Sequence, residues 1–199
     1  MTVGLGESFA VRTRARLREE ILIAARAEVM ARGWRGLRMQ VVAEAVGISR
    51  QTINHEFTDK QGLARALVLA LATSYMDSQQ AIVQRSADVR SALRDTVAYS
   101  LELLATDGLF RTMIGADGSD TYLPLYTTEG GPLISLCSDR MTDAFVQRWP
   151  SLDAARVRIV MEMISRQVIS CAVFPLHPPA LVAHDTASVF ARCLDDPSR

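Results

Sequence analysis

Within the stretch SRQTINHEF, Arg50, Gln51, Asn54 and His55 are side chains that could read the edges of nucleic-acid bases. A guanidinium pairs bidentately with guanine and an Asn or Gln amide with adenine, because their donors and acceptors match the major-groove edges. If Ile53 and Phe57 of the same stretch point inward, an α-helical turn of about 100° per residue leaves the four polar side chains outward. No large apolar residue interrupts that outward face. Ser49 and Thr52 lie at the start of this helix, and Arg38 and Gln40 precede it at a distance suited to the other wall of a groove. Lys60 stands where the next helix begins and can take a phosphate together with that helix N-terminus. These nine residues are the candidate DNA contacts.

A reading face of this kind needs a scaffold that holds it outward. Val42, Ala43, Val46, Ile48, Ile53 and Phe57 can bury a small core between two short helices, with Gly47 relieving the turn between them. Ser49 can cap the second by accepting from a backbone N–H at Gln51 or Thr52. The form is a helix-turn-helix. It is preceded by a helix over residues 12–32, with Leu17, Ile21, Ala24, Ala25 and Val29 on one face and Gly33 as its left-handed end.

Downstream, apolar residues recur at helical spacing and never alternate for a strand's length. The pattern predicts helices over 60–83, opened by Thr58-Asp59, and over 89–106, capped by Asp88. Residues 115–132, rich in Gly, Pro, Thr and Asp, read as a loop or broken helix where flexibility concentrates. Helices follow over 132–149, from Ser151 or Asp153 to Phe174, and from Pro178-Pro179 to Leu194. The fold class is all-α: a flexible arm (1–11), an N-terminal three-helix helix-turn-helix domain (12–60) and a larger helical domain (61–199).

Composition narrows the function further. The chain has 199 residues, 49% hydrophobic and 22% charged, which excludes disorder as a description of the whole. Its zero net charge conceals a split: residues 1–65 carry 11 basic and 7 acidic side chains, the rest 11 and 15. The basic end is the place for an anionic partner. Cys137, Cys171 and Cys193 are unpaired in number and lack C-x-x-C spacing, as in a reduced, cytoplasmic core. The N-terminal stretch reverses the charge order of a secretory signal, and the longest apolar run, Ala66 to Ala72, is too short to span a bilayer, so no membrane partner is expected. No G-x-S-x-G, Gly-rich phosphate loop, metal-ligand spacing or suggestive carboxylate pair is present, so no enzyme, metal or cofactor is expected. Glu162 and Arg166 read as a surface ion pair.

The segment EILIAARAEVMARGWRGLRMQVVAEAVGISRQTINHEFTDKQGL, about a quarter of the chain, resembles the TetR family of bacterial repressors. The likeness lies in the order of its parts: I-x-x-A-A, Gly33, V-A-x-x-V-G-I-S-x-x-T-I, then F-x-x-K-x-x-L. Gln51, Asn54 and Glu56 depart from the usual Gly, Tyr and His. The family's tyrosine contact to phosphate is therefore not carried over to Asn54, His55 is the neighbour that could replace it, and Glu56 would repel a phosphate.

The resemblance implies that the second domain holds an effector pocket. All four tyrosines and five of the eight methionines fall between residues 75 and 163, and such side chains suit an apolar molecule with one polar handle. The expected lining is Leu71, Tyr75, Tyr99, Leu103, Phe110, Met113, Tyr126, Cys137 and Met141. The resemblance also implies a four-helix dimer interface from the last two helices. Their apolar stripes are Val157, Val160, Met161, Ile164, Val168 and Cys171, and Val182, Val189, Phe190, Cys193 and Leu194. The expected protein is a homodimeric repressor released from a near-palindromic DNA operator by a lipophilic small molecule. The alternatives are an activator or corepressor-dependent regulator of the same fold, or a helical carrier that does not bind DNA.

Overall fold

Several helices of this chain start or stop at residues with a physical reason to bound one. The computed structural model describes residues 9–114 and 119–195, which contain ten helices and, among the described residues, no strand. The first, α1 (Phe9–Gly36), is broken at Gly33, whose φ of 70° and ψ of 171° lie in a region that essentially only glycine enters. The sequence predicts a left-handed cap there. The extended ψ instead swings the chain so that Trp34 and Leu37 are buried.

The next helix, α2 (Met39–Val46), ends at Gly47, left-handed at φ 75° and ψ 30°. Ile48 N–H donates to Ala43 O at 3.0 Å and Gly47 N–H to Glu44 O at 3.2 Å, closing a Schellman motif. Ser49 then caps α3 (Arg50–Phe57) by accepting from Thr52 N–H at 3.1 Å. The turn out of α3 is tight: Thr58 has a φ of 68°, and Asp59 N–H donates to Phe57 O at 2.7 Å across a γ-turn. Asp59 caps α4 (Lys60–Arg85) through Gly62 N–H at 2.7 Å.

Asp88 and Ser91 form a reciprocal capping box at α5 (Val89–Thr106). Two helices then occupy ground that the sequence leaves unassigned or reads as loop: α6 (Gly108–Ile114) and α7 (Ser119–Tyr126). The second holds Pro124 inside it, and its helical state accompanies the burial of Tyr122 and Leu125. Pro132 sits in the first turn of α8 (Gly131–Arg148), where its missing N–H costs nothing. Asp153, rather than Ser151, caps α9 (Ala154–Val173), and the chain ends in α10 (Pro179–Asp195).

Two apolar clusters organise these helices. One joins Ile21, Ala25 and Val29 of α1 to Val42 and Ala43 of α2, Ile53 and Phe57 of α3, and Leu63 and Ala64 of α4. Full burial of each larger side chain contributes about 1.5–3 kcal/mol, enough in sum to fix the small head. This cluster continues past residue 60 into Leu67, Val68, Tyr122 and Leu125. The other contains Met76 and Val83 of α4 with the inward faces of α5, α8, α9 and α10. The single helix α4 thus belongs to both.

Candidate nucleic-acid interface and effector cavity

Helix α3 is held by Ile53, fully buried, and Phe57, 4% exposed. Arg50, Gln51, Asn54 and His55 are all exposed on its other side, with Ser49 also exposed and Thr52 half-buried. Ser49 and Thr52 hydroxyls bond each other at 2.9 Å, so both serve the start of the helix. Arg38 is exposed at the head of α2, and Gln40 is exposed with its amide donating to Glu44 at 2.8 Å.

Lys60 is the first residue of α4, as the sequence expects, but its ammonium has partners within the head. Its ammonium donates to Trp34 O at 2.8 Å and Leu37 O at 3.2 Å, and lies 4.8 Å from the centroid of the Trp34 ring. Burial lowers its pKa. It closes the turn after Gly33 onto the start of α4 and leaves only one ammonium hydrogen for any phosphate.

Glu56 has a partner that the sequence reading misses. Its side chain is only 7% exposed and accepts from Arg14 Nε at 2.9 Å and Arg18 at 3.2 Å. Arg18 also covers the Phe57 ring at 4.3 Å. Burial pushes the carboxyl pKa upward, but bonding and attraction to the two guanidiniums outweigh it and hold the group below the ordinary glutamate value. The charge is neutralised inside the head. The signal for this pairing is the i, i+4 spacing of Arg14 and Arg18 on α1.

A cavity of about 340 Å³ lies between α4, α5, α8 and α9, within the range of small-molecule pockets. Leu71, Tyr75, Tyr99, Leu103, Phe110, Tyr126, Cys137 and Met141 all line it. The side chain of Met113 lies outside the described residues. Tyr75 and Tyr99 stack at 5.9 Å, and Phe110 meets Tyr126 edge-on at 5.4 Å. Burial pushes the Tyr75 and Tyr126 hydroxyls far up and the Cys137 thiol to about 11, so these groups stay protonated and uncharged at neutral pH.

The sequence reading misses the polar end of this cavity. Gln79 Nε2 donates toward Ser100 Oγ at 2.8 Å and Thr96 O at 3.1 Å, and the Tyr75 hydroxyl bonds both Ser100 and Gln79. Tyr75 and Gln79 are four apart on α4, and Thr96 and Ser100 four apart on α5, so the spacing puts each pair on one helix face, while the meeting of the two faces is a tertiary contact. Arg26 reaches the lining from α1, and Asp107 from the junction of α5 and α6.

The expected dimer stripes require correction. Val157, Val160, Met161, Ile164 and Val168 are buried within their own chain, and Met161, Ile164 and Val168 line the cavity. Val182 and Leu194 are buried as well, since α10 packs chiefly on α5. Cys171 and Phe190 are half-buried. Helical periodicity finds the apolar face but not which body it meets. Val189 and Cys193 do face outward, joined by Ile159 at 61% exposed and Met163 at 51% on α9, and by Leu181 on α10. Phe174 and Leu176, at 69% and 85%, extend the apolar surface between the two helices. Glu162 and Arg166 form an exposed ion pair at 2.8 Å. Among the described residues no helix is long and apolar enough to cross a membrane, and no group of His, Cys, Asp or Glu is placed to hold a metal.

Comparison with known proteins agrees with this architecture at both ends of the chain. The family model described as bacterial regulatory proteins, tetR family, matches residues 21–67, and that described as bacterial tetracyclin repressor, C-terminal domain, matches residues 88–192. The HTH-type transcriptional regulator AlkX of Mycobacterium tuberculosis is 30% identical over 188 residues, covering 94% of this chain and 87% of that protein. The crystal structure of the TetR family repressor AlkX from Dietzia sp., implicated in biodegradation of n-alkanes, superposes with a TM-score of 0.77 at 29% identity, over 89% of this chain and 94% of the other. A TetR-family regulator from Pectobacterium atrosepticum shares the fold at a TM-score of 0.65 and 17% identity, over 94% and 96% of the two chains. With the outward polar face of α3 and the walled cavity behind it, these likenesses establish that the chain is a transcriptional regulator of the TetR family.

Proposed function

We propose that the protein is a homodimeric repressor that acts in the cytoplasm by binding, not catalysis, and leaves its operator when a lipophilic small molecule occupies the cavity. The observation that carries this reading is the outward face Arg50–His55 on a helix anchored by Ile53 and Phe57. That face can enter a major groove, with Arg38, Gln40 and Ser49 beside it for the backbone. The neutralised Glu56 removes the local charge that would oppose a phosphate.

The outward apolar side chains of α9 and α10, Ile159, Met163, Leu181 and Val189, are the surface a second copy would cover. A twofold pair would place its heads about 34–36 Å apart, which calls for a near-palindromic operator. The apolar lining supports a long hydrophobic effector, as does the 29% identity to a repressor implicated in n-alkane biodegradation. Coupling follows from α4, which carries Lys60 at the head and Tyr75 in the cavity wall, about 22 Å along the axis. A ligand that fits a tilted α4 better shifts the population away from the DNA-competent spacing.

A gel shift with the DNA upstream of the protein's own coding region tests the reading. Specific binding that weakens steeply with added salt supports it. Binding that strengthens with ligand would replace release by corepression, and no binding at any salt would leave a small-molecule carrier.

A further inference from the structure

The charges around the last turn of α3 do not cancel, and the remainder reaches the surface at one side chain. Two guanidiniums, Arg14 and Arg18, face the single carboxylate of Glu56, which leaves one positive charge over. Glu56 is 7% exposed, Arg18 37% and Arg14 59%, so Arg14 presents that surplus. Arg18 donates to both the carbonyl and the carboxylate of Glu56 and lies over the Phe57 ring, which spends it inside the head. Arg14 is engaged through Nε alone, at 2.9 Å from Glu56 Oε2. Among the described residues none takes up its two terminal amino groups, which keep four N–H donors. The neighbouring Arg16, 82% exposed, is instead paired along its own helix with Glu20 at 3.0 Å.

Glu56 decides where the surplus is presented. Successive residues turn by about 100°, so Glu56 lies between the outward His55 and the buried Phe57, on the flank of the reading helix. A helix seated in the major groove meets base edges with its outward face and the phosphates of the groove wall along its flank. We propose that Arg14 is a phosphate ligand in the DNA complex, held beside α3 by Glu56 and donating from its terminal amino groups to one backbone phosphate. The assignment rests on the groove-entering role proposed for α3. A guanidinium suits this double duty, because its donors form a rigid planar fork whose Nε can serve the carboxylate while the terminal nitrogens serve a phosphate. Arg18 holds the same carboxylate, so Arg14 is ordered before DNA arrives and loses less freedom on binding. The acidic residue that on charge alone opposes DNA is thus a positioning residue for a cation.

Fluorescence anisotropy of the full-length protein over a salt series tests the assignment, with the DNA upstream of its own coding region and an unrelated duplex of equal length. Arg14→Gln should reduce the slope of log affinity against log salt by about 0.9, the contribution of one phosphate, so that a fourfold rise in salt narrows the gap to wild type about 3.5-fold. The loss should be equal on the two duplexes, because a phosphate carries no sequence information. In a Glu56→Ala background, where the carboxylate no longer holds the guanidinium, adding Arg14→Gln should change the slope less than it does in wild type. An unchanged slope in Arg14→Gln, or a loss confined to the upstream DNA, would overturn the phosphate contact. Equal slope changes with and without Glu56 would overturn the positioning. Arg14→Gln alters an exposed side chain, so its slope decides the contact whether or not Glu56→Ala folds. Wild-type protein that binds neither duplex would overturn the role of α3 and the contact together, whereas salt-dependent wild-type binding with an unchanged Arg14→Gln slope would overturn the contact alone.

Discussion

A carboxylate one residue beyond the reading face looks misplaced in a DNA-binding helix until its partners are seen. Glu56 is enclosed by Arg14 and Arg18 of α1 and therefore ties the reading helix to the first helix. Because Arg14 is 59% exposed, solvent screens part of the attraction, and Glu56→Gln should cost about 1–2 kcal/mol at pH 7. The pH dependence has a fixed sign. A carboxyl whose pKa is lowered by folding contributes fully above the ordinary glutamate value and loses that contribution as pH falls through its depressed one. Urea unfolding from pH 7 down to pH 3 should show the two proteins converging in acid, and a constant gap would contradict the pairing. The outward placement of Arg50, Gln51, Asn54 and His55 is legible in sequence because helical phase suffices for it. The partners of Glu56 and Lys60 are not, since they lie 38 to 42 and 23 to 26 residues away and depend on how α1 crosses the head.

At the level of elements, the turn from α3 into α4 decides where the reading helix points. A Cβ at Gly62 would lie 1.9 Å from Phe57 O, a backbone atom that cannot swing aside. Gly62→Ala should therefore destabilise the head by about 3 kcal/mol or more, measured by urea unfolding, and a neutral effect would mean that the turn can open to admit a methyl group. Lys60 clamps the same junction through the carbonyls of Trp34 and Leu37. Lys60→Met should lower stability by about 1–3 kcal/mol and leave the salt dependence of DNA binding unchanged. A fall of about one in the salt slope would instead mark Lys60 as a phosphate contact. Helix ends are readable where the signal is local, as in the left-handed backbone of Gly47 and the side-chain caps Ser49, Asp88 and Asp153. Helix α7 is not, because its Ser, Asp, Thr and Pro content argues against a helix and burial of Tyr122 against Trp34, centroids 4.7 Å apart, is a tertiary contact.

For the whole molecule, the apolar surface left on α9 and α10 is the remaining structural demand. The sequence marks two amphipathic helices, but Val157, Val160 and Met161 face their own domain, and the outward set is Ile159, Met163, Leu181 and Val189. Met163→Asp should convert a dimer to monomers by light scattering with unchanged helical circular dichroism, since the side chain is 51% exposed and outside the buried core. A dimer of unchanged strength would place the interface elsewhere. The cavity residues are legible because large aromatic and sulfur side chains concentrate there, while Gln79 is hidden by its polar type. All of this serves the face presented by α3. The direct measurement is quantitative footprinting of wild-type protein and Arg50→Ala on the upstream DNA. The account predicts a loss of about 1–3 kcal/mol and relaxed preference at one position per half-site. Identical footprints and affinities for the two proteins would contradict it.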